Sequence, residues 1–298
     1  MDQVVLITGG ARGVGAAVAA ELVRRGARVV LTDLDRAALD ETVTGLGAGN
    51  ALGIVADVCD VEAMKAAVAS AVERFGRIDA VLANAGIASY GSVLNTDPQA
   101  FKRIVDINIT GVFNTAHAAL PALIESKGYL LVVSSLAAFV AAPGLSAYHA
   151  SKAGVEHFAN SLRLEVKHLG VDVGCAHMSW IDTPLVQDAK SDLPAFRQLL
   201  EKLPPPLGRT TDVESCVKAF VKGIEKRSRK VYCPGWVRGL GINRVALNST
   251  AGNLPVLRLV PEILPALDAD VARLGRYTSA RNVDNDADEA AVTRLGSE

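Results

Sequence analysis

Short unbroken apolar runs alternate along this chain with longer stretches in which apolar positions return every third or fourth residue. The first kind reads as buried strand, the second as helix. Strands are predicted at 3–8 (QVVLIT), 28–33, 51–57, 78–86 (running into a loop), 128–136, 171–178 and 230–234. Helices are predicted at 13–26, 36–46, 61–76, 97–126, 147–169 and 212–227, with the longest, 97–126, bent near Pro121. Strands that are apolar at consecutive positions belong to a parallel sheet covered on both faces. Right-handed crossovers then give an α/β fold, a doubly wound parallel sheet with helices on both faces. Ligands of such a sheet bind at the carboxyl ends of its strands.

The pattern changes after residue 183. Residues 184–209 hold several prolines after a strand end and read as a lid with short helices. One catalytic domain is therefore expected over 1–236, lid included. Residues 237–276 form an apolar C-terminal extension, interrupted by Pro255, Pro261 and Pro265 and expected to pack on the domain or on a second subunit; a lid over the pocket and a rest on a membrane are the alternatives, with a membrane helix disfavoured by the prolines and by Arg258, Glu262 and Asp268. Residues 277–298 are polar and acidic and are expected to be disordered.

Half of the 298 residues are hydrophobic, enough for a sizeable core, and the formal net charge is −1. That balance provides no general attraction to nucleic acid or to anionic membrane. Cys59, Cys175, Cys216 and Cys233 lie far apart without metal-ligand spacing, so neither a metal site nor a disulfide is expected. Free thiols and an N-terminus without a basic, apolar leader point to the cytoplasm. No stretch has the uninterrupted apolar length of a membrane span.

Two motifs carry chemistry. TGGARGVG, Thr8 to Gly15, lies between the first strand and first helix. Gly9, Gly13 and Gly15 let the backbone turn tightly and approach a pyrophosphate, which sits on the helix N-terminus. Asp33 closes the next strand, where a carboxylate accepts from both ribose hydroxyls of NAD and repels the 2′-phosphate of NADP. An ordinary βα turn with a surface Asp is the plain alternative, and the strand–turn–helix context counts against it. In SAYHASKAG, Tyr148 and Lys152 stand four residues apart and share a helix face. A nearby ammonium lowers a phenol's pKa and makes it usable as an acid or base. An isolated pair of this kind is more often a solvated surface contact.

Together, TGxxxGxG, the later NAG and YxxxK resemble the short-chain dehydrogenase/reductase family, over residues 3 to about 236. The resemblance implies a single-domain Rossmann-type fold that moves a hydride between a nicotinamide and a carbonyl or hydroxyl carbon. It assigns Gly9, Arg12, Gly13, Val14 and Gly15 to the phosphate turn and Asp33 to cofactor selection. Asp57 and Val58 are placed at the adenine, and Asn84, Ala85 and Gly86 along the cofactor. Ile181 and Thr183 are placed at the nicotinamide. Asn108, Ser135, Tyr148 and Lys152 match the catalytic tetrad. Tyr148 is then the general acid/base, and Lys152 lowers its pKa and holds the ribose. Ser135 steadies the substrate oxygen, and Asn108 anchors a water chain to solvent. The resemblance also implies homodimers or homotetramers formed through helices 97–126 and 147–169.

This chain departs from the family pattern after the sixth strand. It reads HMSWIDTP, with Met178 and Ser179 where Pro-Gly is usual, and Trp180 is expected to wall the pocket. Arg12 is of the sort that NADP-preferring members carry, which keeps NADP open, but Asp33 favours NAD. His149, His177 and Ser134 receive no catalytic role. The segments expected to bound the substrate (87–92, 137–145 and the lid) carry few charges. The expected partner is a small hydrophobic secondary alcohol or its ketone: lipid-like, steroid-like or alicyclic. The alternatives are a cofactor-binding sensor without turnover, and a non-redox lyase or epimerase on the same fold.

Overall fold

The computed structural model describes residues 2–280. Seven parallel strands form one sheet in the order β3-β2-β1-β4-β5-β6-β7. They are β1 (Val4–Thr8), β2 (Arg28–Asp33), β3 (Ala51–Val55), β4 (Ala80–Ala83), β5 (Tyr129–Ser135), β6 (Asp172–Met178) and β7 (Lys230–Cys233). The order reverses between β1 and β4, which opens a crevice at their carboxyl ends.

Successive strand side chains point to opposite faces, so the consecutive apolar runs feed two cores. Val4, Leu6, Leu130 and Val132 enter one core, with helices α3 (Val61–Phe75), α5 (Gly111–Ser126) and α6 (Ser146–Val166). Val5, Ile7, Leu131 and Val133 enter the other, with α1 (Gly13–Arg24), α2 (Arg36–Leu46) and α9 (Val213–Glu225).

The stretch expected to be one helix over 97–126 is α4 (Pro98–Val105), a π turn (Asp106–Thr110) and α5. Its departure from α geometry therefore lies upstream of Pro121, at the turn that carries Asn108. Pro98–Ser126 is long and apolar enough to cross a membrane by length and composition alone. Val112, Ala116, Ala119 and Leu123 are buried in the core, which accounts for its apolar character.

The lid segment forms α7 (Pro184–Asp192) and α8 (Pro194–Lys202). The C-terminal extension forms α10 (Val237–Ile242), α11 (Arg244–Leu247), α12 (Thr250–Leu257) and α13 (Val260–Leu274). Prolines do not stop this run: Pro261 lies in the first turn of α13, where its missing N–H is tolerated, and Pro255 and Pro265 lie inside helices. Ile263 and Leu267 of α13 are fully buried. Asp270 accepts from the Ala195 N–H at 2.8 Å, and Arg276 pairs with Asp192 at 2.6 Å, so α13 is tied to α7 and α8. Of the expected disordered tail, Thr278 is buried and the Tyr277 carbonyl accepts from the Tyr90 N–H at 3.2 Å. Residues 281–298 lie outside the described residues.

Candidate active site

The strand ends converge on a cleft of about 310 Å³. Its floor at one end is the glycine turn. Gly9 and Gly13 have φ of +63° and +56°, which side-chain-bearing residues rarely adopt. A Cβ on Gly15 would run into the Gly9 carbonyl, so only glycine lets the helix start this close to the strand end. Asn84 holds the turn from β4: its Nδ2 donates to the carbonyls of Thr8 and Gly9, each at 3.0 Å. The Thr8 hydroxyl in turn accepts from the N–H groups of Asn84 and Ala85.

Asp33, at the end of β2, turns its carboxylate into the same cleft. One oxygen accepts from Ala11 N–H at 3.0 Å, and the other from Leu34 and Asp35 N–H. A carboxylate has about four acceptor sites, so capacity for a ribose hydroxyl remains. Arg12 is engaged by Asp35 at 2.6 Å. Burial pushes the Asp35 carboxyl up, but the Ala38 N–H, which has the largest influence, and Arg12 hold it below the ordinary value. Asp57 accepts from Cys59 N–H at 2.8 Å, and the buried Val58 lines the cleft beside it.

The other end of the cleft gathers Ser135, Tyr148 and Lys152. Ser135 ends β5; its hydroxyl accepts from Ala137 N–H at 3.1 Å and reaches the Met178 carbonyl at 3.3 Å. Tyr148 and Lys152 lie one turn apart on α6, with the Lys152 ammonium 5.6 Å from the centre of the Tyr148 ring. Lys152 donates to the Val133 carbonyl at 3.1 Å. Burial pulls the Lys152 pKa down to about 8. The Tyr148 phenol is pushed up by burial, with a hydrogen bond from Ser135 opposing that rise. This differs from the lowered phenol expected from sequence. The ammonium lies 5.6 Å from the ring centre, and burial is the largest influence on the phenol.

Asn108, in the π turn, is fully buried. Its Oδ1 accepts from Ile87 N–H, and its Nδ2 donates to the Ile87 carbonyl and to Ser151 Oγ. Its amide thus holds the β4 exit against α6, and no spare side-chain donor is left for a water chain. Gly86 makes room beside it: a Cβ there would lie 3.0 Å from Asn108 Oδ1 and 3.3 Å from Lys152 Nζ.

Ile181 is buried beside β6, and the Thr183 hydroxyl donates to the Ile181 carbonyl at 3.2 Å. Trp180 does wall the cleft, donating from Nε1 to the Leu207 carbonyl and packing edge-on against Phe196 at 5.3 Å. Two buried hydroxyls lining the cleft, Thr32 Oγ1 and Ser179 Oγ, have no hydrogen-bond partner among the described residues. One lies at the Asp33 end and one near Trp180. With the glycine cradle and the Asp33 carboxylate, they fit a dinucleotide lying across the strand ends.

Four contributors were not assigned roles from sequence. His149 bridges Ala137 and Ala142 with its two ring nitrogens, at 2.8 and 3.0 Å, and so fixes the loop after Ser135. Ser134 donates to the Lys152 carbonyl at 2.7 Å, tying β5 to α6. Tyr90 lines the substrate end and stacks edge-on with Phe196 at 5.2 Å. Asp268 of α13 accepts from Ser92 N–H, Ser92 Oγ and Asn95 Nδ2, each at 2.7 Å, and holds the loop that carries Tyr90. No local pattern could reveal Asp268, because its partners lie more than 170 residues earlier.

The sequence matches the short chain dehydrogenase family over residues 3–194. It is 35% identical over 221 residues to trans-4-hydroxycyclohexanecarboxylate dehydrogenase of Sinomonas cyclohexanicum, covering 72% of this chain and 82% of that protein. It is 37% identical over 204 residues to (−)-trans-carveol dehydrogenase of Rhodococcus erythropolis, covering 62% and 73%. Among solved structures, it is similar to a 3-ketoacyl-(acyl-carrier-protein) reductase from Brucella melitensis complexed with NADH. That match has a TM-score of 0.68 and 25% identity, and covers 77% of this chain and 96% of that one.

Proposed function

This chain belongs to the short chain dehydrogenase family, an oxidoreductase family acting on CH–OH groups with a nicotinamide cofactor, and from that premise we propose that it is an NAD-dependent dehydrogenase of an uncharged, largely apolar secondary alcohol. The observation that carries the reading is the convergence of Ser135, Tyr148 and Lys152 on the same cleft as the glycine turn and Asp33.

A bound nicotinamide would supply the hydride acceptor for oxidation at the carbinol carbon. Gly9, Gly13 and Gly15 would hold its pyrophosphate at the start of α1, and Asp33 would take the ribose hydroxyls. Ser135 Oγ donates to the substrate oxygen and steadies the charge that develops there. The Tyr148 phenolate accepts the hydroxyl proton during oxidation, and the phenol returns it during reduction. Lys152 lies next to Tyr148 and stabilises the phenolate. Asn108 keeps Lys152 and the β4 exit in register, and a water relay anchored there would meet an acceptor oxygen, since both N–H groups of its amide are engaged.

Selection of NAD rests on Asp33, whose carboxylate repels a 2′-phosphate, and on the engagement of Arg12 by Asp35. The substrate class follows from the lining. Ala88, Tyr90, Leu145, Trp180 and Leu185 surround the substrate end. Among the described residues the cations lining the cleft are Arg12 and Lys152, both at cofactor positions. A carboxylate substrate would find no other counter-ion among those described residues. Of the two relatives, one is named for an uncharged cyclic alcohol and the other for a cyclic hydroxycarboxylate, so a cyclic alcohol is common to both and the lining is what favours the uncharged one.

The test is turnover of purified protein with NAD and NADP separately, on neutral cyclic alcohols and on hydroxycarboxylates, with Tyr148→Phe alongside. NAD-linked oxidation of neutral alcohols, lost in the variant, supports the reading. Preferential use of NADP, or of hydroxycarboxylates, would overturn the cofactor or the substrate assignment respectively.

A further inference from the structure

The overall charge of −1 conceals a strong local imbalance. From Lys226 to Pro261 the chain contains seven lysines and arginines and no aspartate or glutamate. The same stretch exposes large apolar side chains. Val245 is 84% exposed, Ile242 72%, Leu257 54% and Leu254 47%, and α12 buries none of its residues. Leu164 of α6, 75% exposed, lines a surface recess together with Ile242. A soluble surface does not ordinarily collect apolar groups of this size within one acid-free segment.

That recess has a volume of about 480 Å³. Four cations line it: Arg163, Arg229, Lys230 and Arg244. The acid in its wall, Glu156, is already engaged by Lys230 at 2.7 Å, Arg244 at 3.3 Å and the buried His177 at 3.4 Å. Among the described residues, Arg163 hydrogen-bonds the neutral Asn160, at 3.1 Å. Proximity of Arg229 lowers the Arg163 pKa further, after burial has lowered it most. Positive charge is thus held together here without enough acid to balance it.

We propose that the recess and the exposed apolar residues of α10–α12 form a docking surface for an anionic phospholipid membrane, with lipid headgroups in the recess and apolar side chains in the interfacial layer. Two features favour a lipid surface over a second copy of the chain. Apolar side chains flanked by cations without acids match an anionic interface, whereas two such faces brought together would repel. The attachment is also interfacial: none of these helices exceeds eight residues, too short to span. The surface lies against the substrate loop, since Asn248 Nδ2 donates to the Phe139 carbonyl at 2.8 Å, four residues after Ser135. Docking there would place the loop beside a membrane that dissolves apolar alcohols.

Co-sedimentation of the full chain with vesicles tests this without reference to turnover. One set of vesicles is phosphatidylcholine alone, and the other is phosphatidylcholine mixed with phosphatidylglycerol. The expected result is binding to the mixed vesicles that weakens with salt. Each cation removed should reduce it about fivefold, and Arg163→Glu with Arg229→Glu should reduce it more than about twenty-fivefold. Val245→Asp with Leu254→Asp, both on exposed sites and checked for native thermal unfolding, should reduce it as well. Absence of binding to mixed vesicles, or unchanged binding by both double variants, overturns the proposal. So does sedimentation velocity showing a dimer of the native chain that Val245→Asp with Leu254→Asp splits, because a second copy would then cover the face.

Discussion

The Lys152 ammonium stands 5.6 Å from the centre of the Tyr148 ring and donates to the Val133 carbonyl at 3.1 Å, buried in the protein. Burial holds its pKa near 8, below the ordinary 10.5. The unfolded chain keeps that proton up to the ordinary value, and the folded chain only to about pH 8. Below pH 8 the penalty on the folded state is fully present. Stability of the cofactor-free protein therefore rises with pH between the two values, by at most roughly 3 kcal/mol. Lys152→Met should abolish that rise and leave the melting temperature at neutral pH equal or higher, while removing turnover. Thermal unfolding across this pH range checks it, and parallel curves for the two proteins would refute it.

Gly15→Ala places a methyl on the Gly9 carbonyl. The turn must then open, at about 1–3 kcal/mol of stability. NADH affinity should fall with it, because the same displacement moves the N-terminus of α1. Thermal unfolding and NADH fluorescence titration read the two effects. Full NADH affinity in the variant would contradict this role for the turn.

Asp33→Ala removes the carboxylate proposed to take the ribose hydroxyls. The ratio of kcat/KM for NAD over NADP should fall by at least about tenfold, the equivalent of one charged hydrogen bond. Adding Asp35→Asn frees Arg12 from its 2.6 Å ion pair and should lower the ratio further. Steady-state kinetics with both cofactors checks this. A ratio unchanged by Asp33→Ala would show that another group selects the cofactor.

Asp268→Ala leaves Ser92 and Asn95 without their shared acceptor. Stability should drop by about 1–3 kcal/mol, with the loop carrying Tyr90 loosened first. KM for bulky alcohols should change while NADH affinity stays the same, since the glycine turn and Asp33 are untouched. Equal shifts in both would mean that Asp268 supports the whole fold rather than the substrate end.

Much of this architecture was legible in the chain itself. Consecutive apolar residues such as Val4–Ile7 and Leu130–Val133 announce strands buried on both faces, because each face of a doubly covered sheet excludes water. The glycine turn, Asp33, Ser135, Tyr148 and Lys152 could be placed on their elements because each belongs to a strand end or to one helix turn. Trp180 as a wall is an equally local inference. The π turn at Asp106–Thr110 was not legible, since its cause is the long-range bonding of Asn108 to Ile87 and Ser151.

The division between the two follows from the range of the forces. Periodicity and turn chemistry act over a few residues, so the sequence by itself determined the layered sheet, the cofactor turn and the Tyr148–Lys152 pair. Burial and long-range hydrogen bonding act only once the chain has closed. The tertiary structure alone therefore decided that burial pushes the Tyr148 phenol up and that both N–H groups of the Asn108 amide are engaged. It also decided that Asp268 reaches back to Ser92, and that cations from α6, β7 and α11 share one recess.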